Sequence, residues 1–156
     1  MSILKVDSIQ NTGGTTGLTI DNNGRVLKPV IPFGQASSNA KTTNGNVVNL
    51  NSHVLSGGGL TVDQTNNRMI VPVAGLYKIG FTELTDVAAY VEVLMRKNGS
   101  NINGGVAQTG TSHQYGELGH HMVISLEAND YIDWYCNAGT THNNTQYNNH
   151  YVYLLG

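Results

Sequence analysis

The chain has 156 residues, enough for one domain or one domain with a short appendage. Only 12% are charged, the formal net charge is −2, and the 8 Lys and Arg are scattered, which excludes a phosphate-tracking patch and with it nucleic acid as a partner. No apolar run approaches the roughly 18 residues of a membrane span. Met1 to Leu4 reads as an intact cytosolic N-terminus without a secretory leader, and the lone Cys136 excludes an internal disulfide.

Asn, Thr, Ser, Gln and Gly supply the polarity in place of charge. Such residues suit short strands and tight turns and serve helices badly. So weakly charged a surface has little electrostatic protection against self-association and is at home inside an assembly. Packing, including packing between subunits, must then stabilise the fold.

From Ser2 to about Lys28 the text reads as small strands split by turns at Asn11 to Gly17 and Asp21 to Gly24. Its apolar residues are Ile3, Leu4, Val6, Ile9, Leu18, Ile20, Val26 and Leu27. They are too few to bury a core, and hairpins this small are marginal alone in water, so residues 1–28 should need a partner. Entwining with copies of itself or docking on a larger particle would each serve. Ile3, Leu4, Val6, Ile9, Leu18, Ile20 and Val26 are therefore the expected attachment or oligomerisation residues. The stretch LKVDSIQNTGGTTGLTIDNNGRV also resembles the openings of structural proteins from marine tailed bacteriophages, cyanophages especially.

Residues 29–156 read as a β-domain. Strands are expected near Ile31 to Ala36, Val47 to Leu50, Leu60 to Asp63, Met69 to Val71, Gly75 to Thr85 and Ala88 to Lys97. Others are expected near Gly105 to Thr109, Glu117 to Glu127, Tyr131 to Ala138 and His150 to Leu155. Asn44-Gly45, Asn98-Gly99 and Asn103-Gly104 mark turns between them. Many short strands without an amphipathic helix mean a sandwich or a barrel, and spacing does not choose between the two.

The run Asn66 to Phe81 gives two short strands hinged at Pro72 to Gly75, where Pro and Gly forbid a helix. Its VPVAGLYKIGF resembles the signature of the C1q/TNF-like jelly roll. Val91 to Gly99 (VEVLMRKNG), Met122 to Ile132 (MVISLEANDYI) and the closing Tyr147 to Gly156 are similar to further motifs of that family, in the family's order. Asn129 stands where the family has Gly, and His150-Tyr151-Val152-Tyr153 replaces its Phe-Ser-Gly-Phe. The resemblance implies an all-β jelly-roll sandwich that assembles as a homotrimer. Tyr77, Phe81, Ile124, Leu126, Ile132, Trp134, Tyr151 and Tyr153 are the expected core or threefold contacts.

Alternation puts Ile132, Trp134 and Cys136 on one face of their strand and Tyr131, Asp133 and Tyr135 on the other. The second face is either solvated or covered by neighbouring subunits, and the many tyrosines favour cover. His113, His120, His121, His142 and His150 lack zinc-ligand spacing and read as surface or interface residues. Cys136 reads as a small buried hydrophobe. Asp130 and Asp133 stand three apart like a carboxylate pair, but the resemblance assigns this acidic position to a tight turn and implies no general-acid pocket. Without a hydrolase elbow, phosphate loop or dinucleotide fingerprint, the chain is expected to be no enzyme and to need no cofactor or metal.

Asn-, Thr- and Gln-rich loops at Ser37 to Asn46, Gly110 to Gln114 and Gly139 to Asn149 are the places for recognition. Asn143, Asn144, Gln146 and Tyr147 are the candidates for contact with a host glycan or receptor. Taken with both resemblances, these readings describe a trimeric bacteriophage virion protein, made in the host cytoplasm. Residues 1–28 would anchor it to other virion proteins, and a jelly roll over 29–156 would decorate the particle or form a fibre knob. A capsid cement protein and a free lectin-like glycan binder are the alternatives.

Overall fold

The computed structural model of the chain describes residues 7–10, 12–13, 16–27, 31–87, 89–110 and 114–156. It divides into two compact units, Met1–Ile31 and Pro32–Gly156. In the first, β1 (Ser8–Gln10), β2 (Thr16–Ile20) and β3 (Val26–Leu27) form an antiparallel three-stranded sheet in that order. The Asp21 carboxylate closes the second turn by accepting the Asn23 and Arg25 backbone N–H groups at 2.9 Å each. Ile9 is 54% exposed, and Leu18 and Ile20 are half-buried. Val26 falls in β3, while Ile3, Leu4 and Val6 lie outside the described residues.

The second unit comprises β4 (Phe33–Ser37), β5 (Thr42–Thr43), β6 (Asn46–Val47), β7 (Ser52–Gly57), β8 (Thr61–Asp63), β9 (Arg68–Ile70) and β10 (Gly75–Leu84). It continues with β11 (Val91–Lys97), β12 (Ser100–Thr109), β13 (Glu117–Leu126), β14 (Tyr131–Ala138), β15 (Thr140–Thr141) and β16 (Asn149–Leu154). One sheet has five strands in the order β13-β10-β16-β4-β7. The opposing sheet runs β12-β11-β14-β9-β8, with β6 also on β14, and β15 pairs with β5 apart from both. All pairs are antiparallel, and no helix occurs among the described residues.

Period-two alternation builds the core between the sheets. Tyr77, Ile79 and Phe81 from β10 and Val152 from β16 meet Val91, Val93 and Met95 from β11 and Ile132 and Trp134 from β14. Tyr77 is wholly buried and donates its hydroxyl to the Val73 carbonyl at 2.8 Å, so the hinge at Pro72 to Gly75 is tied to the core. Leu126 is also buried, and Ile124 packs half-buried against the cluster.

Turn chemistry explains the connections. Asn98 (φ 52°) and Gly99 (φ 77°) both occupy the left-handed region between Lys97 and Ser100, as a two-residue hairpin of the primed type requires. Asn129 takes φ 72° in the turn before β14. The Asp130 carboxylate joins the two turns: it takes Lys97 Nζ at 2.7 Å, the Asn98 amide at 2.6 Å and the Glu127 N–H at 2.7 Å. Burial pushes its pKa up, but those three donors outweigh burial and hold it below the usual carboxylate range.

Three sequence expectations need correction. Asn103-Gly104 does not end a strand: β12 runs through it, and the positive φ of Gly104 (77°) accommodates a bulge where pairing shifts between Leu94 and Arg96. Of the expected Val47 to Leu50 strand only Val47 falls in a strand, β6 (Asn46–Val47), while Val48 and Leu50 are fully buried. Strand β7 was not anticipated. It is a mostly exposed edge strand without an alternating pattern.

Candidate functional site

The outward face of the five-stranded sheet carries side chains that a solvated sheet would not. Leu76 and Val123 are 52% and 54% exposed, and Leu55 on the edge strand is 59% exposed. Between them lies an aromatic row, with Tyr151 5.4 Å from Tyr153 and Tyr153 stacked on Phe33 at 6.3 Å, ring centre to ring centre. Lys78 sits within this band, opposite Val123 on one side and Tyr153 on the other.

The outward face of β14 differs from this. Arg96 grips Asp133 with Nε at 2.6 Å and a terminal nitrogen at 3.0 Å, and its guanidinium lies 4.3 Å over the Tyr135 ring. Arg68 lies 4.7 Å over Tyr131 and bonds Asp63 at 3.0 Å. Arginines of the same chain therefore already overlie these two tyrosines. Of the tyrosines grouped from sequence, Tyr77 is in the core, Tyr131 and Tyr135 lie under arginines, and Tyr151 and Tyr153 stand on the unpartnered sheet.

His150 is a correction to the expectation of a surface or interface histidine. It is wholly buried, stacked on Phe81 at 6.2 Å and edge-on to Trp134 at 4.8 Å. Its Nε2 lies 2.9 Å from Oε1 of the equally buried Glu83. Alternation along β10 places Glu83 inward with Tyr77, Ile79 and Phe81. Burial pushes the Glu83 carboxyl up, only partly opposed by His150 and Thr141. Burial, and then the nearby Glu83 charge, push the Cys136 thiol up to about 11, so the thiolate that nucleophilic chemistry needs is absent at neutral pH. Asp130 and Asp133 serve separate partners and form no carboxylate pair.

A pocket of about 440 Å³ opens at one end of the five-stranded sheet, lined by Leu84, Tyr115, His142, Asn144 and Tyr147. Buried polar groups fix its walls. Asn148 is fully buried, accepts the Leu84 N–H through Oδ1 at 3.0 Å and donates Nδ2 to the His142 carbonyl. The His142 N–H returns to the Leu84 carbonyl at 2.7 Å. Thr85, also buried, exchanges backbone bonds with Tyr115 and Gly116 at 3.1 and 2.8 Å. Thr82 donates its hydroxyl to the Tyr147 carbonyl at 2.8 Å. Within the last loop the Asn144 Oδ1 accepts the Gln146 N–H at 3.0 Å.

Of the residues expected to make host contact, Asn144 and Tyr147 line this pocket, while Asn143 and Gln146 are exposed beside it. Leu84 and Tyr115 come from other parts of the chain and were not singled out from sequence, while His142 belongs to the same Gly139 to Asn149 loop and was weighed only as a surface or interface histidine. His113 lies outside the described residues, and His120 and His121 have ring centres 6.4 Å apart. A second, polar cleft of about 460 Å³ lies along Lys41, Thr42, Thr43, Asn46, Asn49 and Asn67.

No family model and no curated protein matches the chain. Solved structures do match. The structure of Eiger TNF from S. frugiperda superposes with a TM-score of 0.61 at 10% identity, covering 83% of this chain and 94% of that one. The globular domain of zebrafish complement 1qA protein superposes with a TM-score of 0.63 at 9% identity, covering 81% and 98%. At such identities the likeness is one of fold, and the fold is a C1q/TNF-like jelly-roll sandwich, as the motifs between Asn66 and Gly156 led one to expect.

Proposed function

We propose that the chain is a bacteriophage virion structural protein in which three copies join through the outward face of the five-stranded sheet. The observation that carries the assembly is the band of Leu76, Val123, Tyr151, Tyr153, Phe33 and Leu55 on that face. Burying apolar surface is worth about 25 cal/mol per Å², and contiguous patches of this kind mark contact surfaces. Tyrosine also suits an interface, with an apolar body and a polar tip. The homotrimer implied by the sequence motifs uses such a face once per subunit. The virion role rests on the resemblance of residues 4–26 to phage structural proteins, and the exposure of Ile9 in the first unit supports a segment that docks on a partner.

Light scattering of the full chain tests the assembly. A trimer at micromolar concentration is expected, and Val123→Glu should yield folded monomers. A wild-type chain that stays monomeric sinks the assembly. Mass spectrometry of purified particles tests the virion role: the protein should be found there, and deletion of residues 1–28 should release it. A particle lacking this chain ends that reading. The aromatic-walled pocket favours a second reading, a free lectin-like binder, which predicts activity without any particle.

A further inference from the structure

We infer that the pocket between Tyr115 and Tyr147 binds a neutral sugar, its two rings bracketing the apolar C–H face of a pyranose. The pocket belongs to a single subunit, so the inference does not depend on the trimer or on the virion. It names the chemistry by which such a particle would touch a cell.

Four observations converge. The first is shape and size: about 440 Å³ falls within the range of small-molecule sites, and the floor is Leu84. The second is the walls. Tyr115 and Tyr147 are 56% and 49% exposed, large rings left to solvent on loops that are otherwise tied down. Neither hydroxyl has a hydrogen-bond partner among the described residues, so both remain available to sugar hydroxyls.

The third is unspent polarity. The Asn144 Oδ1 is committed to the Gln146 N–H, which leaves its amide Nδ2 as a donor. His142 is edge-on to Tyr115 at 5.4 Å, and its Nδ1 is buried without a partner. A buried polar atom lacking a partner costs free energy that a ligand or ordered water can recover. The fourth is charge. No Lys or Arg lines the pocket among the described residues; Asp86, 3.6 Å from His142 through one oxygen, holds Lys41 at 2.5 Å through the other. Sialylated, sulfated or phosphorylated ligands find no countercharge there. A neutral hexose or N-acetylhexosamine does not need one.

Preorganisation strengthens the assignment. Asn148 and Thr85 fix the pocket loops from beneath, so binding spends little on ordering them. A single shallow sugar site is weak, and repeated copies on one particle would raise its effective affinity by avidity.

The test is the full chain on an array of neutral, sialylated and sulfated glycans, followed by titration with the methyl glycoside of whichever neutral terminal sugar is bound. Two variants preserve the loops. Asn144→Asp keeps the oxygen that caps Gln146 and removes the free amide. Tyr115→Asn removes a ring at φ 66°, a conformation that Asn tolerates. Binding to neutral glycans is expected, reduced by Tyr147→Ala or Tyr115→Asn and by Asn144→Asp, with the oligomeric state unchanged. Absence of neutral-glycan binding by wild type overturns the inference while leaving the assembly standing. Recognition confined to acidic glycans, or unaltered by the two ring variants, also overturns it.

Discussion

The Tyr151 ring lies directly over Gly80 on the neighbouring strand: a Cβ at position 80 would come within 2.5 Å of Oη and 2.6 Å of Cζ. The same Cβ would meet the His120 carbonyl oxygen at 2.9 Å, and that backbone atom cannot swing aside. Gly80 is thus the recess that lets one tyrosine of the outward band lie flat against the sheet.

Gly80→Ala should therefore cost about 1–3 kcal/mol through overpacking and weaken self-association by lifting the ring. Adding Tyr151→Phe should not rescue it, because Cζ remains. Adding Tyr151→Leu should rescue it in part. Chemical denaturation with light scattering of the three variants checks this, and full rescue by Phe would contradict it.

The buried Glu83 gives stability a definite slope with pH. Its folded carboxyl is raised above the ordinary 4.5 by burial, so the folded state binds the proton more tightly than the unfolded chain. The stability it contributes is complete below that ordinary value and is lost as pH rises through the higher folded one. Glu83→Gln should remove this slope, so that the variant gains on the wild type as pH rises above that ordinary value. Thermal melts of both proteins across the range measure it; parallel curves would refute it.

Cys136 should be inert in the native protein. With its thiol pushed up to about 11 and its side chain fully buried, an aromatic disulfide reagent at neutral pH should leave it unlabelled. In denaturant it should react at once. Rapid labelling of folded protein would mean that the end of the sandwich opens more readily than its packing implies.

Arg96 and Asp133 form a largely enclosed, two-pronged ion pair on β11 and β14. Arg96→Leu strands a carboxylate that is 5% exposed and should destabilise the fold by about 3 kcal/mol. Replacing both residues, Arg96→Leu with Asp133→Leu, should recover most of that loss. Urea unfolding of the single and double variants measures the difference.

Much of the fold was legible because its signals are local. The Pro72 to Gly75 hinge, the Asn98-Gly99 hairpin and the alternation of Ile132, Trp134 and Cys136 each sit within a few residues and follow from backbone sterics. The misses are non-local. Asn103-Gly104 has turn chemistry, yet its neighbours are held in one strand by β11. His150 and Glu83 are polar in text and buried in fact, because each shares an inward face with apolar neighbours on its strand. The pocket was half visible: His142, Asn144 and Tyr147 stand in an obvious loop, but Leu84 and Tyr115 reach it only through the strand order.

Strand β16 comes after every other member of its sheet in the chain, yet its place is in the middle, between β10 and β4. Until it arrives, β13-β10 and β4-β7 are separate hairpin-like halves, each with a bare hydrogen-bonding edge. Seating this late strand in its slot closes contacts across more than a hundred residues, as between Tyr153 and Gln35, and long-range pairing of that kind is slow to form. During synthesis, a nascent chain halted ahead of Asn149 presents two sticky borders to its siblings, the point at which polysome crowding favours tangles over folded molecules.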